Sequence, residues 1–267
     1  MNRFVCFAGA QPDILCQRVT LPDLPEGLDG KSVLFLSDIH FGAWFNDNAA
    51  RTMVNRMETA APDLILYGGD FADRAKDAQA LFTHLSHLRP PLGALAVPGN
   101  NDFEAFEGDY SVLRRRLRDA GIKLLVNRRF ELPVPGGRLI VTGLDDAKRG
   151  KPDPGIAHVR RKPGDFHMLL THSPWLFRAA LDKQNTVDLA LAGHTHAGQI
   201  APFGLSVYSL GFERKRRMRR ENPYYLMAGS KVVEGTRLMV TNGVGESLLP
   251  LRVDDPPQMH LMLLKKG

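Results

Sequence analysis

Six short apolar runs recur along this chain, and each stops at a glycine or a polar residue. They are "SVLFLS" (32–37), "DLILYGG" (63–69), "GALAVPG" (93–99), "RLIVTGL" (138–144), "FHMLLTH" (166–172) and "VDLALAG" (187–193). Runs this short, rich in branched apolar residues, read as buried strands. Between several of them, "NDNAARTMVNRMETAA", "AKDAQALFTHLSHL" and "SPWLFRAALDKQ" carry apolar residues at helical spacing. Asn46 or Asp47 and Ser173 stand where N-caps belong, with Pro174 at a first helical position. The alternation restricts the chain to an α/β layer architecture. "PVPGGRL" predicts a hairpin turn. "YYLMAGS", "RLMVTN" and "MHLMLL" follow with no helix between them, which predicts a second, more antiparallel sheet. No repeat and no long polar linker divides the chain, so a single domain over 1–267 is expected, with a loop insertion at about 201–223.

The ends of the runs carry the chemistry. In order they deliver Asp38 and His40 ("SDIH"), Asp70 ("YGGD"), Asn100, Asn101 and Asp102 ("PGNND"), His172 ("LTHSP"), and His194 and His196 ("LALAGHTHAGQI"). Taken singly, each is an ordinary turn, cap or surface residue. Taken together, five of six strands place a carboxylate, amide or imidazole at the C-terminal edge, where open α/β sheets bind ligands. Asp38 and His40, two apart in an extended segment, would project to one side and share an ion. Asp70 follows a Gly-Gly turn that leaves its carboxylate free to bridge. The Asn100 amide oxygen is a hard ligand, and the imidazoles suit borderline first-row metals. Two ions held close together can clamp a phosphoryl group and activate water.

"DIH", "GGD", "GNND", "TH" and "GHTH" resemble the five signature blocks of the calcineurin-like metallophosphoesterases. "LPEGLDGKSVLFLSDIHFG" and "NGVGESLLPLR" are similar to the YkuE-like bacterial phosphodiesterase branch of that family. The resemblance implies a two-sheet mixed β-sandwich flanked by helices. It implies that Asp38, His40 and His196 hold one divalent ion, that Asn100, His172 and His194 hold a second, and that Asp70 bridges them. Manganese is the favoured ion, with iron, zinc, cobalt or nickel admitted by the same donors. In the family the block matching "GNND" usually reads Gly-Asn-His-Asp; here Asn101 replaces the histidine that the family assigns to protonating the leaving oxygen or stabilising the transition state. Asn101 and Asp102 are the expected catalytic residues. Since an amide has no titrating proton, the change favours leaving groups of low pKa over alkoxides.

Charge adds a candidate for substrate binding. The net charge is +6, gathered into "RRRLR" (114–118), "KRGK" (148–151) and "RKRRMRR" (214–220), the last with six basic residues in seven positions. Any such block is ordinarily a solvated helix or loop face. Beside a phosphohydrolase site, Arg214, Lys215, Arg216 and Arg217 are candidates to meet a phosphorylated small molecule, an anionic lipid or, less favourably, nucleic acid. The expected reaction is cleavage of a phosphodiester or pyrophosphate bond, for instance in a nucleotide-linked lipid such as UDP-diacylglucosamine. A nuclease or cyclic-nucleotide phosphodiesterase is the second enzyme reading, and a non-catalytic interaction module of the same fold is the third. Two cysteines imply no disulfide framework, and no apolar run approaches the roughly 20 residues of a membrane span. A cytoplasmic protein is expected, with peripheral contact at the inner membrane through the basic loop.

Overall fold

The structure, a computed structural model, describes residues 5–181, 187–202, 222–247 and 249–267. In chain order the first strands are β1 (Val5–Phe7), β2 (Asp13–Leu21), β3 (Ser32–Leu36), β4 (Leu64–Tyr67), β5 (Ala94–Ala96), β6 (Ile122–Leu124) and β7 (Arg128–Val134). They are followed by β8 (Gly137–Gly143), β9 (Asp165–Leu170), β10 (Leu189–Ala192), β11 (Gly229–Val233), β12 (Thr236–Val240), β13 (Leu251–Val253) and β14 (Gln258–Lys266). The helices are α1 (Asp47–Ala60), α2 (Ala75–Leu85), α3 (Asn100–Ala105), α4 (Tyr110–Asp119) and α5 (Phe177–Ala180).

All six apolar runs are strands, divided three and three between two six-stranded sheets. One sheet runs β2-β14-β3-β4-β5-β6 and the other β11-β12-β10-β9-β8-β7, while β1 and β13 pair separately. β3 through β6 are parallel, as are β8, β9, β10 and β12. The predicted hairpin closes β7 onto β8, with Val134 opposite Gly137.

The period of two explains the layering. Val33 and Phe35 of β3 point inward with Leu64 and Leu66, against Leu139, Val141, Met168, Leu170, Leu189 and Leu191 of the other sheet. Leu34 and Leu36 point outward with Ile65 and Tyr67, onto Met53 and Met57 of α1, Leu81 and Leu85 of α2, and Leu113 and Leu117 of α4. Each fully buried leucine contributes roughly 1.5–3 kcal/mol, so neither face of β3 tolerates a polar substitution. A third cluster covers the outside of the second sheet, with Phe177 and Ala180 of α5 against Ala190, Ala192 and Leu238.

The C-terminal strands depart from expectation. They do not make a separate antiparallel sheet. β11 and β12 extend the second sheet, with β12 parallel to β10, and β14 enters the first sheet between β2 and β3. The reason is that β14 is apolar on both faces: Met259 packs with the helices, Met262 and Leu264 with the inter-sheet core. A strand with two apolar faces is covered only inside a sheet. β11 starts at Gly229, later than the tyrosine run suggests, because Tyr225 stacks on Trp175 and the Tyr224 hydroxyl donates to Glu234 Oε2 at 2.7 Å.

Among the helices, Asn46 is the N-cap of α1, its Oδ1 accepting from Ala49 N at 3.2 Å. Ser173 makes no capping bond, and its segment forms only a short 3-10 turn at Pro174–Leu176 before α5. The "RRRLR" block lies on α4, where Leu113 and Leu117 are buried. Arg114 and Arg116 there donate to the Leu124 and Ala75 carbonyls, so this block is a structural helix face.

Candidate metal centre

The C-terminal ends of β3, β4 and β5 face those of β9 and β10 across the sandwich, and the loops leaving them meet. Several bonds tie the sheets at this edge, among them two made by candidate site residues. His172 Nδ1 donates to the Gly68 carbonyl at 2.8 Å, and the His194 amide donates to Asp38 Oδ2 at 3.0 Å. The second needs a glycine before it: a Cβ on Gly193 would lie 2.2 Å from both Asp38 Oδ2 and Ser37 Oγ. The chain turns sharply here. Asp38, His40, Asp70, His194 and His196 have φ of 56, 46, 54, 69 and 48°, a left-handed region that costs non-glycine residues of order 1–3 kcal/mol each. Asp38 and His40 therefore do share one group of donors, but with both residues in left-handed backbone; the extended segment inferred for them is not what places them.

Two groups of side chains result. Asp38, His40 and His196 place one donor atom each within 4.8 Å of one another, and so do Asp70, His172 and His194. His40 Nε2 lies 3.1 Å from His196 Nε2, and His172 Nε2 lies 3.1 Å from His194 Nδ1. Asp70 Oδ2 is 3.3 Å from His172 Nε2 and 3.7 Å from His40 Nε2, so it stands between the groups. Asn100 Oδ1 is buried with no hydrogen-bond partner among the described residues, while its Nδ2 donates to Asn101 Oδ1 at 2.7 Å. That bond turns the amide so that its oxygen is the free atom. An orphaned buried oxygen beside clustered imidazoles and carboxylates is a donor set that fits divalent cations.

The electrostatics agree. Burial alone would lower the His172 pKa, but the adjoining Asp70 carboxylate raises it to about 10. Burial likewise opposes protonation of His40, which the hydrogen bond to Asp73 and the Asp70 charge overcome. Burial and the charge of His172 press His194 down to about 4, and burial and His40 hold His196 well below its ordinary value. Neighbouring carboxylates thus favour the charged form of one imidazole in each group, the kind of environment that also favours a bound cation.

Several contributors escaped the sequence reading. Asp73 Oδ1 accepts from His40 Nδ1 at 2.8 Å, which fixes that ring and leaves Nε2 toward the site. Asn101 Nδ2 also approaches Asp73 Oδ1, at 3.4 Å, and its backbone N–H donates to Asp70 Oδ1 at 2.8 Å. Arg252, wholly buried, reaches His196 Nδ1 at 3.2 Å and also donates to the Gly245 and Asn242 carbonyls. The motif "GES…PLR" held Arg252, but nothing in its spacing ties it to His196.

Asp102 is placed differently from its expected catalytic role. Its carboxylate accepts from the Asp70 and Gly99 amides at 2.8 and 2.9 Å, and from the Phe71 amide at 3.0 Å. Burial and the neighbouring Asp70 charge raise its pKa to about 7. It secures the turn that carries Asp70 and does not line the cavity; Asn101 does. That cavity, of about 640 Å³, is lined by His40, Asp70, Asn100, His194 and His196, and also by Lys148 and Arg149. Arg214, Lys215, Arg216 and Arg217 lie outside the described residues.

A two-sheet sandwich with two groups of side chains able to hold metal ions at its facing strand ends is the arrangement of a class of metal-dependent hydrolases. The chain belongs to the calcineurin-like phosphoesterase family, whose model matches residues 31–198, and it is a metal-dependent phosphoesterase. An uncharacterized metallophosphoesterase of Bacillus subtilis, YkuE, is 30% identical over 250 residues, covering 91% of this chain and 82% of that one. A zebrafish (Danio rerio) transmembrane protein with metallophosphoesterase domain is 25% identical over 279 residues. That match covers 97% of this chain, which spans only 59% of the zebrafish protein's length. Among solved structures, the sulfate thiohydrolase SoxB of Thermus thermophilus shares the fold with a TM-score of 0.51 at 13% identity, over 91% of this chain and 58% of that one. Among the described residues here, no helix is long and apolar enough to cross a membrane.

Proposed function

We propose that the chain is a binuclear phosphohydrolase that cleaves phosphodiester or phosphoanhydride bonds whose leaving group is already a weak base. Asp38, His40 and His196 would hold one ion, Asn100, His172 and His194 the other, and Asp70 would contribute to both. Manganese is the favoured metal. Divalent ions bound there supply Lewis acidity to a phosphoryl group and a nucleophile at neutral pH.

The observation that carries the preference is Asn101. It lines the cavity beside Asn100 and Asp70, with its amide N–H aimed past His40 toward Asp73. From there it donates a hydrogen bond and orients the Asn100 oxygen, but it delivers no proton. A leaving alkoxide needs that proton, whereas a phosphate or aryl oxide departs without it. Among anhydrides, a nucleotide-linked lipid such as UDP-diacylglucosamine is the substrate that the basic run around Arg214–Arg217 favours, with the protein held at the cytoplasmic face of a membrane.

Product release from aryl diesters, nucleotide sugars, lipid pyrophosphates and simple alkyl phosphates, assayed with purified protein and manganese, tests this. Turnover confined to the first three classes is expected. Equal turnover of alkyl monoesters would overturn the preference, and no turnover of diesters or anhydrides would overturn the reading.

A further inference from the structure

Part of the cavity lining comes from the loop that follows β8, "LDDAKRGK", and this loop is built to hold its shape. Asp146, wholly buried, accepts the backbone amides of both Lys148 and Arg149 on Oδ2, at 2.8 and 2.6 Å. Asp145 accepts the Lys151 amide on Oδ2 at 2.8 Å and the Tyr110 hydroxyl on Oδ1 at 2.9 Å. Gly150 closes the turn where any Cβ would come within 2.4 Å of the Asp145 carboxylate. Two aspartates are thus committed to backbone amides of the residues that follow them, and two of those residues, Lys148 and Arg149, line the cavity.

Neither side chain supports the fold. Lys148 is exposed and has no hydrogen-bond or ion-pair partner among the described residues. Arg149 donates from Nε to Glu104 Oε1 at 2.6 Å, both side chains being about half exposed, 49% and 49%. Its terminal Nη groups make no bond among the described residues. Cations cannot be ligands of the metal, and a single scissile phosphodiester carries one charge that the metal side already meets. Two further cations on this braced loop, of which only Arg149 is paired, through Nε with Glu104 of the same lining, leave positive charge that a second anionic group on the same substrate would meet.

We propose that Lys148 and Arg149 form an anion subsite for a second phosphoryl group adjoining the scissile one, so that the natural substrate is a pyrophosphate or a bis-phosphorylated molecule. This rests on the phosphohydrolase reading above and narrows its substrate class. Arg149 presents its free Nη pair, and Lys148 acts as the point charge, as the two side chains ordinarily meet phosphate.

The test compares binding of UMP with that of α,β-methylene-UDP, which differ by one phosphoryl group and are measured by calorimetry in excess manganese. Charge-assisted bonds of this kind give a preference of about tenfold or more for the bis-phosphoryl ligand in the native protein. Lys148→Ala and Arg149→Ala should each cut that preference to about threefold or less, whereas Lys151→Ala, on the same loop but outside the cavity, should keep it. Equal affinity for both ligands in the native protein overturns the subsite, as does an undiminished preference in both alanine variants. Since binding needs no turnover, this outcome is separable from failure of the hydrolase reading, which only the substrate panel decides.

Discussion

Asp70 and Asn101 are joined by a backbone bond that divides the labour of one carboxylate: the Asn101 amide takes Oδ1 at 2.8 Å, and Oδ2 is left facing His40 and His172. One oxygen locates the side chain, and the other stands between two groups of donors. Removing the side chain should therefore empty both groups. Metal analysis of Asp70→Ala is expected to show loss of both ions per chain, with the fold retained by circular dichroism. Near-full occupancy of two sites would contradict the bridging assignment.

Restoring a titrating group at position 101 should change which bonds the enzyme breaks. In Asn101→His, rates for diesters with poor leaving groups are expected to rise by about 10- to 100-fold, the usual reach of a general acid, while good aryl leaving groups gain little. The measurement is the slope of log kcat against leaving-group pKa. An unaltered slope would mean that position 101 is not where the proton is needed.

Arg252 has no access to solvent, and its nearest counter-charge, Glu246 Oε1 at 3.9 Å, is buried too. Arg252→Met leaves that carboxylate uncompensated and frees the carbonyls that cover the Asp38 turn, at an expected cost of about 3–5 kcal/mol in urea unfolding. Adding Glu246→Gln should recover part of the loss. If the double variant is no more stable than the single one, the pair is not electrostatically coupled.

His260 on β14 is buried beside Phe35, its Nε2 has no partner among the described residues, and burial lowers its pKa to about 4. The unfolded chain takes up this proton near pH 6.5, before the folded chain does. Its contribution is thus intact above pH 6.5 and is lost as the pH falls toward 4, reaching about 2 kcal/mol at pH 5. His260→Phe should flatten the stability difference between pH 7.5 and pH 5 by that amount. An unchanged pH dependence would show that the group titrates normally in the fold.

Neutralising Arg214, Lys215, Arg216 and Arg217 tests the anionic partner inferred from their charge. Binding to vesicles containing anionic lipid, strong at low salt and weak at high salt in the native protein, should be lost while metal content is kept. Loss of RNA binding in place of vesicle binding would favour the nuclease reading. Retention of both would make the run a solvated face.

The apolar runs and the residues at their ends were legible from the chain alone, because strand burial and metal ligation each demand particular residue types at particular spacings. Asp38, His40, Asp70, Asn100, His172, His194 and His196 needed no coordinates to be singled out, and the family blocks assigned His194 and His196 to different groups. What the chain could not show was anything made by approach between distant segments. Nothing local says that six similar strands divide into two sheets, since β3 and β9 are equally apolar; the division depends on which faces pack together. β14 joins the first sheet because both its faces are apolar, a fact that acquires meaning only once covers for both exist. Asp102 looked like a reactive acid by position and became an acceptor for three amides, because the turn after β4 folds back over it. Asp73, Arg252, Lys148 and Arg149 reach the site across loops, where hydrogen bonds between segments far apart in sequence decide direction, and no pattern along a single segment records them.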